Sequence, residues 1–200
     1  MKKSTLAVLL LAGLAAQSAS AADWFVRGGL TNVNPKSDNG VLAAADASID
    51  SNTQLGLTFG YHFSPSVAIE VLAATPFKHE VALNGDVVAK FKHLPPTFTL
   101  QYYFNPEGKV SPFLGAGLNY TLTFSEEETS LLPPGSNIDI GNSWGLAAQA
   151  GLRFQVSEGW DMTVDARWMD IDADVKLNGA PIGTANVDPM VYSIMVGKRF

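Results

Sequence analysis

Apolar and polar residues alternate along most of the chain beyond residue 23, with the period of two that is typical of β-strands. Between Gln54 and Phe63, leucine and aromatic residues occupy the odd positions, whereas polar residues and glycine occupy the even ones. No comparable helical periodicity occurs. The pattern predicts eight strands, which are approximately Trp24–Asn32, Thr53–Phe63, Val67–Phe77, Val88–Phe104, Val110–Phe124, Asn142–Val156, Trp160–Val175 and Asp188–Phe200.

The connections between these strands fall into two length classes. Three are short and rich in proline, glycine and serine, namely Phe63–Ser66, Phe104–Lys109 and Val156–Gly159. Four are long, namely Val33–Asn52, Lys78–Asp86, Ser125–Gly141 and Lys176–Val187. This alternation is typical of outer-membrane barrels, which have short periplasmic turns and long extracellular loops. The sequence therefore predicts an all-β fold, an eight-stranded antiparallel transmembrane β-barrel.

Both ends of the chain indicate export to the bacterial outer membrane. A basic pair, an apolar run and a small-residue cleavage site, Ala19-Ser20-Ala21, predict a signal peptide over residues 1–21. Residues 22–200 are then expected to form the barrel, surrounded by lipid and lipopolysaccharide. The last predicted strand alternates up to a terminal Phe200, which resembles the signal that the barrel-assembly machinery recognises.

The composition argues against several classes of function. A formal net charge of −6 is incompatible with a broad basic surface for nucleic acid. The absence of cysteine excludes a disulfide framework and a thiolate zinc site. His62, His79 and His93 lie in different predicted segments without metal-ligand spacing. Asp170-Ile-Asp-Ala-Asp174 lacks the glycine and the glutamate of a calcium loop. We therefore expect no catalytic residues, no metal and no cofactor, and hence no enzyme.

The strand positions opposite the apolar ones carry polar residues, which are expected to point into the barrel. These are Arg27, Glu70, Gln101, Arg153, Asp165 and Arg167. Side chains nearly fill the lumen of an eight-stranded barrel. We therefore interpret the six as a structural network of ion pairs and hydrogen bonds, with a path for solutes as the second interpretation. Phe25, Leu72 and Phe113 fall on the same face, where an apolar track and simple packing are equally compatible with the pattern.

Two neighbouring segments carry a family resemblance. Lys92–Phe104 and Ser111–Thr121 resemble the outer-membrane protein W (OmpW) family, including its alkane-importing, AlkL-like relatives. The resemblance extends over essentially the whole chain after the signal peptide. It implies passive uptake of small hydrophobic molecules, with lateral release into the outer leaflet through an opening in the barrel wall.

In the resembled family, a proline within one strand accompanies this opening. Pro95 and Pro96 both fit, because proline cannot donate a hydrogen bond to a neighbouring strand, and the sequence does not distinguish between them. A strand irregularity without a transport role is the other interpretation of this pair.

The predicted function is thus uptake of small hydrophobic molecules. Two loop segments support it, since Val41–Ala45 and Leu131–Pro134 are apolar where exposed loops are usually polar. The alternative is a structural or interaction barrel with a plugged, non-conducting lumen, whose loops bind a phage, a bacteriocin or a host partner.

Overall fold

The computed structural model describes residues 23–200, and the predicted signal peptide, residues 1–21, lies outside the described residues. Within the described part of the chain, no helix is long and apolar enough to cross a bilayer. The strands are β1 (Trp24–Asn34), β2 (Val41–Leu42), β3 (Ala45–Ile49), β4 (Asn52–Ser64), β5 (Val67–Ala74), β6 (Phe77–Leu83), β7 (Asp86–Leu94), β8 (Thr97–Tyr103), β9 (Val110–Glu128), β10 (Ile138–Ile140), β11 (Ser143–Ser157), β12 (Trp160–Met169), β13 (Asp172–Leu177), β14 (Ala180–Asn186) and β15 (Met190–Arg199).

Eight of these strands form a closed barrel, in the order β1, β4, β5, β8, β9, β11, β12 and β15. All of the pairings are antiparallel, and β15 closes the barrel against β1 with Ser193 opposite Thr31. Closure pairs the backbone groups that lipid cannot satisfy. The predicted fold, an eight-stranded antiparallel barrel, is confirmed.

The outer surface of the barrel is apolar, as contact with lipid requires. Its exposed side chains include Leu30, Leu55, Leu100, Leu118 and Ile194. Aromatic rings lie at both rims of this surface. Near the short turns Trp24 stacks on Phe59 with 4.9 Å between the ring centroids, and toward the long connections Tyr120 stacks on Trp144 at 4.4 Å. Such girdles mark the two interfaces of the membrane.

The long connections contain further strands, which the sequence analysis did not predict. β6 occupies most of the predicted loop Lys78–Asp86 and forms a hairpin with β7. The hairpin turns at Asn84 and Gly85, whose φ angles of 49° and 93° suit a two-residue turn. β7, β6, β3 and β2 continue the sheet from β9, while β10, β13 and β14 form a separate three-stranded sheet. We call these seven strands the extension.

Three predicted strands are interrupted where the barrel meets the extension. Val67–Phe77 divides into β5 and β6, and Val88–Phe104 divides into β7 and β8 at the two prolines. Trp160–Val175 divides where Ile171 N donates to the carboxylate of Asp188 instead of to a strand. The inner face of the extension is also apolar, so the alternation of residues continues above the membrane and does not mark its boundary.

Candidate transport site

A network of buried ion pairs occupies the middle of the lumen. Arg27 donates to both carboxylate oxygens of Asp161, at 2.8 and 3.2 Å, and to one oxygen of Glu70 at 3.1 Å. Arg167 donates to the other oxygen of Glu70 at 2.8 Å and lies 3.9 Å from Asp165. Arg27, Glu70 and Arg167 are each no more than 3% exposed. These ion pairs form a layer of charge across the barrel, which we call the charged layer.

Hydrogen bonds continue the charged layer across the lumen. Asp165 accepts a hydrogen bond from Gln149 at 3.0 Å, and Gln149 accepts one from Gln101 at 2.9 Å. Arg153 lies elsewhere and donates to Ser111 Oγ at 2.8 Å. The structure thus places five of the six luminal residues of the sequence analysis in one network, and Arg153 outside it.

Besides Gln149, the sequence analysis missed Asp161 in this network. It is separated from Asp165 by four positions, so the two residues share a face of β12. This parity was a usable signal. Its pairing with Arg27 was not predictable from the pattern, because the two residues are 134 positions apart.

The three residues of the proposed apolar track lie at two separate levels of the barrel. Phe25 and Phe113 pack together at the end with the short turns. Leu72 belongs to a different apolar cluster, with Val33, Phe77, Ala147, Met169, Ile171, Val187, Val191 and Met195. Along β5 the successive inward residues are Ala68 beside Phe25, Glu70 in the charged layer and then Leu72. The charged layer therefore separates Leu72 from the two phenylalanines.

The extension encloses an apolar cavity of about 80 Å³. All of its lining residues are apolar, and they include Leu42, Val81, Ala89, Leu132, Ile138 and Val175. Leu42 and Leu132 come from the two apolar segments that the sequence analysis singled out. A cavity with such walls stays dry and favours apolar molecules over water.

Below this cavity the barrel wall is interrupted between two pairs of strands. The pairing of β5 with β8 ends at Leu72, and the pairing of β6 with β7 begins at Phe77. Within the described part of the chain, no backbone hydrogen bond joins residues 73–76 to residues 94–96. We call this gap in the ladder the wall interruption.

The two prolines face opposite sides of their strand. The carbonyl of Pro96 accepts a hydrogen bond from Tyr120 N on β9 at 3.0 Å. Successive residues of a strand direct their backbone groups to opposite neighbours, so Pro95 faces the wall interruption. Its carbonyl accepts a hydrogen bond from Thr97 Oγ1 at 2.9 Å. Tyr120 belongs to the outer aromatic girdle, and the wall interruption therefore lies at the extracellular interface of the membrane.

The hairpin of β6 and β7 brings together two histidines that lie in different predicted segments. His79 and His93 pack edge to face, with 4.8 Å between the ring centroids. Burial lowers the pKa of His93 to about 3 and also lowers the pKa of His79, so both rings are neutral at pH 7. His62 lies far from them, against Phe25. Among residues 23–200 no group of three or more side chains is arranged to hold a metal ion.

The C-terminal residue lies at the rim with the short turns. Phe200 N donates to the carbonyl of Trp24 at 2.9 Å, and Phe200 is 59% exposed. The ammonium of Lys198 lies 5.4 Å from the centre of this ring. Recognition of Phe200 by the assembly machinery stays a prediction.

The sequence matches the OmpW family over residues 20–200. The chain belongs to the OmpW family. Outer membrane protein W of Escherichia coli is 37% identical to it, with both chains covered completely. The crystal structure of the outer membrane protein OprG from Pseudomonas aeruginosa superimposes with a TM-score of 0.79 at 34% identity, covering 92% of this chain and 98% of that one. Outer membrane protein AlkL of Ectopseudomonas oleovorans is 28% identical over 78% of this chain and 69% of its own.

Family membership and the closed barrel agree on the location of the protein. Its relatives carry the name of outer membrane proteins, and its fold is an outer-membrane barrel. The predicted location in the bacterial outer membrane and the resemblance to the OmpW family are both confirmed.

Proposed function

We propose that this OmpW-family barrel takes up small hydrophobic molecules by passive diffusion and releases them sideways into the outer leaflet. The apolar cavity of the extension carries this proposal, because it offers a dry binding space on the extracellular side. Below it, the charged layer opposes passage through the lumen. An apolar solute that reached Arg27 and Glu70 would separate ion pairs that are buried away from water.

The wall interruption supplies the lateral route in this proposal. Leu72 and Phe77, the last residues of the ladder on either side of it, are both buried and apolar. Pro95 is the proline that holds the gap open, because it has no N–H to donate toward β5 and β6. The resemblance to alkane-importing relatives supports the same substrate class.

Replacement of Pro95 tests this route, with Pro96 as the matched control. Pro95→Ala restores a donor on the side of the wall interruption, where a new ladder bond is worth about 0.5–1.5 kcal/mol. Pro96→Ala restores a donor toward β9, where the strands already pair. We expect Pro95→Ala to reduce the uptake of a radiolabelled alkane into proteoliposomes several-fold and Pro96→Ala to leave it near the wild-type rate.

The same assay separates transport from the interaction-barrel alternative. Uptake by wild-type vesicles that is no faster than uptake by protein-free vesicles would exclude transport and favour the alternative. If both proline variants take up alkane at the wild-type rate, the transport proposal stands, but Pro95 has no role in the route. Barrel density in the vesicles has to be matched, and the gel shift between unheated and boiled samples verifies folding of each variant.

A further inference from the structure

We propose that His79 and His93 form a polar binding site on the lateral route, and that this site selects apolar molecules carrying one hydroxyl group over plain hydrocarbons. This inference rests on the uptake function proposed above and specifies its substrate class. It depends on the burial of the two imidazoles, on their unused hydrogen-bonding atoms and on their position between the cavity and the wall interruption.

The two rings are buried without using all of their polar atoms. His79 is 1% and His93 is 2% exposed. The Nε2 atom of each ring is buried and has no hydrogen-bond partner among the described residues. Buried polar atoms are almost always satisfied in folded proteins, and leaving one without a partner is costly. Two rings with such atoms, 4.8 Å apart between their centroids and packed against Phe77 and Phe91, therefore point to a ligand.

The hydrogen bond of His79 determines what its free atom offers. His79 Nδ1 lies 2.6 Å from the backbone carbonyl of Asp50. A carbonyl oxygen only accepts hydrogen bonds, so Nδ1 carries the proton, and in the neutral ring Nε2 is left as an acceptor. His93 has no comparable bond to fix its tautomer, and it can donate or accept. The pair thus presents one fixed acceptor and one adaptable group.

The inner faces of β6 and β7 place the pair on the path from the cavity to the wall interruption. Along β6 the buried residues follow the order Val81, His79 and Phe77, from the cavity lining to the edge of the gap. Along β7 the corresponding order is Ala89, Phe91 and His93, and Pro95 follows at the gap. A solute that moves between the two places therefore passes both imidazoles, and on these two inner faces they are the polar side chains it meets.

This chemistry fits an aliphatic alcohol or another apolar molecule with a single hydroxyl group. The hydroxyl group donates a hydrogen bond to His79 Nε2 and accepts one from His93, while the hydrocarbon part packs against Phe77 and Phe91. An ionised carboxylate does not fit, because it has no proton to donate and because Asp50 Oδ1 lies 3.6 Å from His79 Nδ1. A hydrocarbon gains nothing from the two nitrogen atoms.

The test compares 1-octanol with n-octane in proteoliposomes, using wild-type protein and the double variant His79→Phe with His93→Phe. Phenylalanine keeps the aromatic packing and removes the polar atoms. We expect the octanol-to-octane ratio of the protein-dependent uptake rates to fall about 3- to 10-fold in the variant, the range that one neutral hydrogen bond provides. His62→Phe is the control, because His62 is also buried with an unpartnered ring nitrogen but lies off the route. It should leave the ratio unchanged.

A second measurement uses the wild-type protein alone and so does not depend on variant folding. Titration of 1-octanol into nitrogen-15-labelled protein in nanodiscs should shift the His79 and His93 ring resonances and leave those of His62 in place. Absence of these shifts, or an unchanged uptake ratio in the double variant, would overturn the inference while leaving hydrocarbon uptake intact. Uptake of neither compound above protein-free vesicles would overturn the proposed function instead.

Discussion

Glu70→Gln is expected to destabilise the barrel strongly, because Glu70 is the carboxylate that Arg27 and Arg167 share. The change keeps the size of the side chain and removes its charge. It also replaces one accepting oxygen by an amide group, whose protons face a guanidinium. Arg27 retains Asp161, but Arg167 retains only Asp165 at 3.9 Å. Removing one partner of a buried pair costs about 3–5 kcal/mol.

Urea unfolding in lipid vesicles, followed by tryptophan fluorescence, measures this cost. With a slope of about 3 kcal/mol per molar urea, the midpoint should fall by roughly 1–2 M. Glu80→Gln is the matched control, because Glu80 pairs with Lys90 at 2.5 Å on the surface, where both side chains are about 40% exposed. Exposed pairs contribute little, so this midpoint should not move. Equal midpoints for the two variants would refute the view that the charged layer stabilises the barrel.

Two further predictions concern Asp165 and the histidine pair. Asp165→Ala should lower the free energy of unfolding by about 1–3 kcal/mol in the same urea assay, less than Glu70→Gln, because it leaves the Gln149 amide without its acceptor. The pKa of His93 is about 3 in the folded extension and about 6.5 in an unfolded chain. The His93 ring packs against His79, which in turn contacts the carbonyl of Asp50. The extension should therefore be fully stable above pH 6.5 and lose up to about 1.4 kcal/mol per pH unit as the pH falls toward 3. Hydrogen exchange of the β6 and β7 amides measures this loss, and a slope that persists in His93→Phe would assign it to other groups.

The barrel was predictable from sequence because lipid and a filled lumen impose opposite demands on neighbouring residues. The parity of Arg27, Glu70 and Asp165 reports the inward face, and the structure places all three there. Their ion-pair partners were not predictable, because the contact of Arg27 with Asp161 depends on closure of the barrel and joins residues 134 positions apart. Periodicity within one strand contains no information about that distance.

The extension and its site were less predictable, because the sequence signals there are ambiguous. Lys78 and Glu80 suggest an exposed loop, although they alternate with His79 and Val81 as a strand requires. Because β6 was not predicted, the contact between His79 and His93 could not be predicted either. The proposal that Pro95 and not Pro96 faces the lateral route likewise depends on the register of the chain against β9, which is visible in the bond from Tyr120 to Pro96.

The charged layer has a consequence for the cell as well as for the barrel. In the proposed route, apolar solutes leave through the barrel wall above Arg27 and Glu70, whereas ions would have to cross the lumen. Permeability to apolar solutes and permeability to ions are therefore separate properties of the molecule. If the proposal holds, the charged layer blocks the lumen to ions, and the membrane becomes permeable to apolar molecules without acquiring an aqueous pore. Planar bilayers containing this protein should therefore remain electrically silent even while alkane crosses them.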